Sequence, residues 1–153
     1  MHSVSRIALI ATLLLAFSVK VQAEEQLSTF RSKDAGITAF DLTATEVKRE
    51  PGKSFLIVPG FKNRSAAGSR WLMCVYTALA IERGYDYWTV VYPEGEDETL
   101  IVEFPGSEAE DIGQTLGNEF SGPRAIPKHP ASVKLMTDRL CGHSVRAERP
   151  TGP

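Results

Sequence analysis

The most restrictive feature of this sequence is an uncharged run in mid-chain, Trp71 to Ile81, bounded by serines before it and by Glu82-Arg83-Gly84 after it. Its length and lack of breakers predict a helix, with Ser65 or Ser69 as N-cap and Gly84 as the residue that leaves it. A helix that is apolar all round cannot lie on a surface, because every face would present hydrocarbon to water. It needs a sheet beneath it and something else above it. A fold built around such a rod must therefore supply two layers of cover.

The flanking segments supply the sheet. Ile37 to Val47 alternates β-favouring and polar residues, Arg49 to Lys53 carries a Pro-Gly turn, and Phe55 to Val58 is continuously apolar. Together they read as a hairpin. After the helix, Tyr85 to Tyr92 is aromatic and β-branched, and Thr99 to Phe104 follows an acidic turn, giving a second hairpin. The sequence thus predicts an α+β fold: a β-β-α-β-β four-stranded sheet with the apolar helix on one face. One or two C-terminal helices are expected, a short one at Ser107 to Leu116 and another at Ala131 to Cys141. The latter, with Val133, Leu135, Met136 and Leu140 on one stripe, is the expected upper cover. Gly117 to Pro130, with three prolines, reads as loop. Glu24 to Gly36 reads as a mobile lead-in, residues 37–143 as a single domain, and 144–153 as a disordered tail.

Residues Met1 to Ala23 have the form of a secretory signal. Arg6 precedes an uncharged stretch, Ile7 to Phe17, too short to span a bilayer, and Val21 and Ala23 suit cleavage after Ala23. The expected location is periplasmic or secreted, with no transmembrane span in the mature chain. The two cysteines, Cys74 and Cys141, are then expected to form a disulfide joining the apolar helix to its cover.

The formal net charge is -2, and loss of Arg6 and Lys20 with the signal makes the remainder more acidic. That charge leaves no basic face for nucleic acid. The hydrophobic fraction of 42% is that of a globular protein.

No catalytic constellation stands out. No serine lies in a Gly-x-Ser-x-Gly elbow, and no loop has phosphate-cradling spacing. Cys141 and His143 lack a second ligand pair for zinc, and His129 has no partnered nucleophile nearby. The acidic runs Glu94, Glu96, Asp97, Glu98 and Glu108, Glu110, Asp111 do not follow the calcium-loop order. No metal and no cofactor are expected. Two features invite a binding role. Lys62, Asn63, Arg64 and Arg70 crowd the loop entering the helix and could hold an anion. Tyr85, Tyr87 and Trp88 could line a binding face.

The stretch Val58-Pro59-Gly60, Ser65 to Ser69, Leu72 to Ile81 and Gly84-Tyr85-Asp86-Tyr87-Trp88 resembles the CC0125/CC1285-type family of small proteobacterial envelope lipoproteins. The likeness runs from Phe55 to Val91 only. The lipid-carrying cysteine of that family is missing here, and the C-terminal part is this chain's own. The resemblance implies an envelope location and transfers no catalytic residue.

The leading expectation is a small exported, non-enzymatic binding or interaction protein whose partner is an envelope or secreted protein. The runner-up is a small hydrolase or redox accessory. A third reading is an inhibitor or immunity-type protein that blocks a partner enzyme. The sequence does not state the oligomeric form.

Overall fold

A computed structural model describes residues 27–93, 98–110 and 125–142. Its elements are strands β1 (Thr29–Arg31), β2 (Thr43–Glu50) and β3 (Lys53–Ile57), helix α1 (Ala66–Arg83), strands β4 (Tyr87–Val91), β5 (Thr99–Glu103) and β6 (Ala125–Ser132), and a short helix α2 (Val133–Met136). A wider π turn over Thr137–Cys141 continues α2.

The six strands form one antiparallel sheet in the order β1-β2-β3-β5-β4-β6. Strand β5 lies between β3 and β4 and is antiparallel to both, so β3 and β4 are parallel to each other. Helix α1 is the crossover that such a parallel pair requires. The α+β class and the two expected hairpins, β2–β3 and β4–β5, are present, but the expected four-stranded sheet is corrected to six strands.

Both added strands occupy edges, where sequence signals are weakest. Strand β1 falls in the segment expected to be a mobile lead-in. It has three residues and pairs with β2 through Phe30 opposite Ala44, both fully buried. Strand β6 runs through part of the expected loop. Its register with β4 jumps between Trp88 opposite Ala131 and Val90 opposite Ile126. The irregular stretch contains Pro127 and Pro130, which donate no ladder hydrogen bond and are tolerated only at edges and bulges.

The second strand also shifts along the chain. Residues 37–42 alternate as a strand would, but they are held in a loop stitched by Ser32. Its N–H donates to the Leu42 carbonyl at 2.9 Å, and its hydroxyl accepts from the Leu42 N–H at 3.0 Å. Residues 107–110 of the expected Ser107–Leu116 helix form a turn, not a helix. The rest of that segment, the signal peptide and the tail lie outside the described residues.

Helix α1 starts where Ser65 Oγ accepts from the Gly68 N–H at 3.1 Å, and ends at Gly84 with φ of 76°, the left-handed region glycine favours. Its inner face buries Leu72, Val75, Leu79 and Ala80 against Leu56, Val58, Leu100 and Val102 of the sheet. The outer face is covered at its N-terminal half. Phe40 meets Trp71 edge-on at 6.2 Å between ring centres, and α2 with its π turn packs across Cys74. The cover does not reach the last turn, where Ile81 is 56% exposed.

The staple is in place. Cys74 and Cys141 form a disulfide with Cα atoms 5.3 Å apart and a sequence separation of 67. Both sulfur-bearing residues are buried.

The C-terminal end of α1 is tied to the sheet by a buried polar cluster. A bulge in β2 at Val47 places Glu46 opposite Leu56 and Arg49 opposite Ser54, on the same face of the sheet, although three residues apart in a strand would ordinarily face opposite ways. Glu46 accepts from Ser54 Oγ at 2.6 Å, from the Ser28 N–H at 3.1 Å and from Arg49. Burial alone would raise its pKa; the bonds from Arg49, Ser54 and Ser28 together hold it below the ordinary carboxylate value. Ser28 Oγ in turn donates to Glu82, and Arg83 donates to Ser54 Oγ at 2.8 Å and to the Glu50 carbonyl at 2.7 Å. The cluster joins β1, β2, β3 and α1.

Closing a loop of this length contributes about 4 kcal/mol in the chain-entropy model, of which engineered and native cases deliver roughly 2–4. A Cys141→Ser variant should therefore unfold at lower denaturant by about that amount. Native protein should take up no thiol label until it is reduced, and two freely labelled cysteines would contradict the staple.

Candidate functional site

The helix-covering layer leaves two cavities beside α1. The first, of about 350 Å³, lies between α1, β4 and α2. The second, of about 400 Å³, lies between α1, the 35–40 loop and the disulfide. Both fall within the ~300–1,000 Å³ range of small-ligand sites.

The first cavity has an apolar body and one polar end. Leu72, Met73, Val90 and Met136 make the body. Tyr76, Tyr92 and Arg64 make the polar end. Tyr76 projects from α1 and is 2% exposed. Its ring meets Trp88 edge-on at 5.2 Å, and the indole N–H of Trp88 donates to Thr77 Oγ1 at 3.0 Å, which fixes the wall. Among the described residues the Tyr76 hydroxyl meets no group in full hydrogen-bond geometry. The Tyr92 phenol is its hydrogen-bonding neighbour and acts on its ionisation.

Arg64 is positioned by the turn that precedes α1. Its guanidinium lies 3.6 Å over the ring of Phe61 and donates to the Phe61 carbonyl at 2.7 Å. Phe61 packs on Tyr92 with ring centres 5.1 Å apart. A guanidinium has five N–H donors, so this arrangement commits one and leaves capacity toward the cavity. Burial pushes the Tyr76 hydroxyl well above its ordinary pKa, with the neighbouring Tyr92 phenol adding to the rise against the pull of Arg64. Burial also raises Tyr92, again against Arg64. Both phenols therefore stay protonated at neutral pH and can donate. The polar end offers donors, and no carboxylate lines the cavity among the described residues.

The four residues of the expected anion loop separate. Arg64 lines the first cavity and Arg70 the second, while Lys62 and Asn63 are exposed on the turn. The three aromatic residues expected to form a face also diverge. Trp88 is buried in the wall of the first cavity. Tyr87 is half-buried, on the next position of the strand and thus facing the other way. Tyr85 stacks on Phe104 at 4.7 Å, and its hydroxyl accepts from the Gly52 N–H at 3.1 Å. Tyr76 and Tyr92 were not singled out by sequence. The signal for Tyr76 is a polar atom inside an otherwise uncharged helix; nothing local marks which side of the helix it takes.

The second cavity is lined by Phe40, Trp71, Arg70, Leu140 and the disulfide. Trp71 Nε1 is buried there with no hydrogen-bond partner among the described residues, and Arg70 is the one charged side chain among those lining the cavity. Of the acidic runs, Glu98 accepts from the Gly60 N–H at 3.0 Å and Glu110 from the Gly106 N–H at 2.6 Å, ordinary loop contacts. No group of potential metal ligands occurs among the described residues. The side chain of His129 and all of His143, Glu94, Glu96, Asp97 and Asp111 lie outside them. No described helix is long and apolar enough to cross a membrane.

One further ionisable group is perturbed. Glu103 sits on β5 opposite Lys53 and Thr89, and is 4% exposed. Burial raises its pKa to about 7, with Lys53 opposing and Glu110 adding to the rise.

The chain matches no family model, no curated protein and no solved structure.

The Glu103 shift has a stability consequence with a definite sign. Its pKa in the folded state, about 7, lies above the reference 4.5. The folded state therefore holds a proton that the unfolded state gives up, and stability falls as pH rises between those two values. Replacing Glu103 with Gln should remove this fall, so that the variant gains on the wild type in thermal melts at about pH 8 relative to about pH 5. An unchanged difference between the two pH values would contradict it.

Proposed function

We propose that the protein is an exported, non-enzymatic binding protein that carries a small molecule in the cavity between α1, β4 and α2. The observation that carries this reading is the polar end of an otherwise apolar cavity, where Arg64 lies with the buried Tyr76 hydroxyl, which meets no described residue in full hydrogen-bond geometry and has the Tyr92 phenol as its neighbour. Leaving a buried hydroxyl unmade costs about 1–3 kcal/mol, and a fold that only needed to pack α1 would do better with phenylalanine there. A ligand that accepts from this hydroxyl accounts for the cost.

Export rests on the N-terminal segment, with its short uncharged core and small residues before Glu24, and on the Cys74–Cys141 disulfide, which persists in oxidising compartments. The likeness of Phe55 to Val91 to envelope lipoproteins points to the same compartment. The scaffold suits the task. The disulfide holds α1 at its middle and the buried Glu46 cluster holds its C-terminal end, so the cavity wall is set before a ligand arrives, which lowers the ordering cost of binding.

Filling the cavity tests the reading without touching its polar end. Ala131 lines it from β6, opposite Trp88. Native mass spectrometry of protein purified from the exported fraction should show a bound small molecule that an Ala131→Phe variant, folded by circular dichroism, has lost. Equal ligand content in the two proteins, or none in the wild type across expression hosts, would contradict it.

A further inference from the structure

We infer that the ligand is an amphipathic carboxylate: one anionic carboxyl group seated on Arg64, Tyr76 and Tyr92, and an unbranched or flat apolar body lying along α1 toward Met136. This inference rests on the proposed binding role and specifies the chemistry of the same cavity.

The polar end combines one obligate donor, Arg64, with two phenols that can donate to an anion, and Ser69 also lines the cavity. The Arg64 guanidinium carries a fixed positive charge, and the two phenols are held protonated by their surroundings. A group that accepts from all three must present several lone pairs in a small space, which a carboxylate does and an alcohol or amide does less well. Charge decides between anions. A single guanidinium balances one negative charge, so a monoester phosphate would bring a second, uncompensated charge into a largely apolar site. The guanidinium is also oriented. Stacking on Phe61 and donation to the Phe61 carbonyl fix its plane, and a fixed fork loses little freedom on binding a carboxylate.

The remaining wall decides the other half of the molecule. Leu72, Met73, Val90 and Met136 offer no hydrogen-bonding group of note. Methionine side chains are unbranched and adaptable, and two of them here suit a body of variable outline rather than one rigid shape. A polar tail, as in a sugar acid or a dipeptide, would lose its hydration along this wall without replacement.

Calorimetry with the full exported protein, using decanoate and 1-decanol below their aggregation limits at neutral pH, separates the two levels. Decanoate should bind about tenfold or more tightly than decanol, the value of one or more hydrogen bonds to a charged group. Arg64→Gln should abolish that preference by weakening decanoate about tenfold or more while weakening decanol much less. Tyr76→Phe should weaken decanoate and, because it removes an unmet hydroxyl, raise the melting temperature of the ligand-free protein; a merely structural tyrosine would not give both. Equal binding of decanoate and decanol would overturn the carboxylate inference and leave the binding role standing. Binding of neither, with both variants folded, would overturn the binding role itself.

Discussion

Everything in this fold follows from having to cover α1 on both sides. Its inner face is met by the sheet, in the way any amphipathic helix is met. Its outer face is also apolar and would expose Trp71 and Cys74 if nothing lay across it. The chain answers with the 35–40 loop on one flank and α2 with its π turn on the other, and the Cys74–Cys141 bond fixes the second of these to the helix. A cover made of two short, separate pieces does not fill space as a second sheet would. The cavities on either side of α1 are the spaces those pieces leave. The place where a ligand can sit is thus a consequence of how a small domain closes over a helix with no polar side.

The C-terminal end of α1 is held by polar contacts instead. A helix so apolar makes few polar anchors of its own, and its register on the sheet needs specifying. The Glu46–Arg49 pair, brought to one face by the β2 bulge, does this together with Ser28, Ser54, Glu82 and Arg83. Such a buried pair contributes little net stability over an apolar substitute, and its value lies in fixing one arrangement. Here it fixes the C-terminal end of α1, while the disulfide fixes the middle. The segment between them, carrying Tyr76, is held by both.

Much of this was legible in the sequence, for physical reasons that differ by element. The helix and its caps were readable because an uncharged run ended by Glu-Arg-Gly admits few alternatives. The cover and staple followed from burial and from two cysteines in a chain whose first residues read as an export signal. The central strands were readable from continuous apolarity. The edge strands were not. Strand β1 has three residues and one aromatic, and β6 carries prolines that locally argue against a strand; both exist because the sheet beside them supplies partners. The bulge at Val47 is likewise invisible locally. The site was partly legible. Arg64 was marked by its place before a helix, but its separation from Arg70 depends on which way the entering turn faces. Tyr76 and Tyr92 lie in different elements, and only the crossover from β3 through α1 to β4 brings them to one cavity.

On the proposed reading, the Tyr76 hydroxyl is left short of full hydrogen-bond geometry among the described residues so that a bound molecule can meet it. A crystal structure of the protein with decanoate tests it most directly. Carboxylate oxygen density is expected in hydrogen-bonding contact with both Tyr76 Oη and the Arg64 guanidinium, with the alkyl chain running between α1 and Met136. Density showing Tyr76 Oη bonded only within the chain, with α2 closed onto α1 and no space between them, would contradict it.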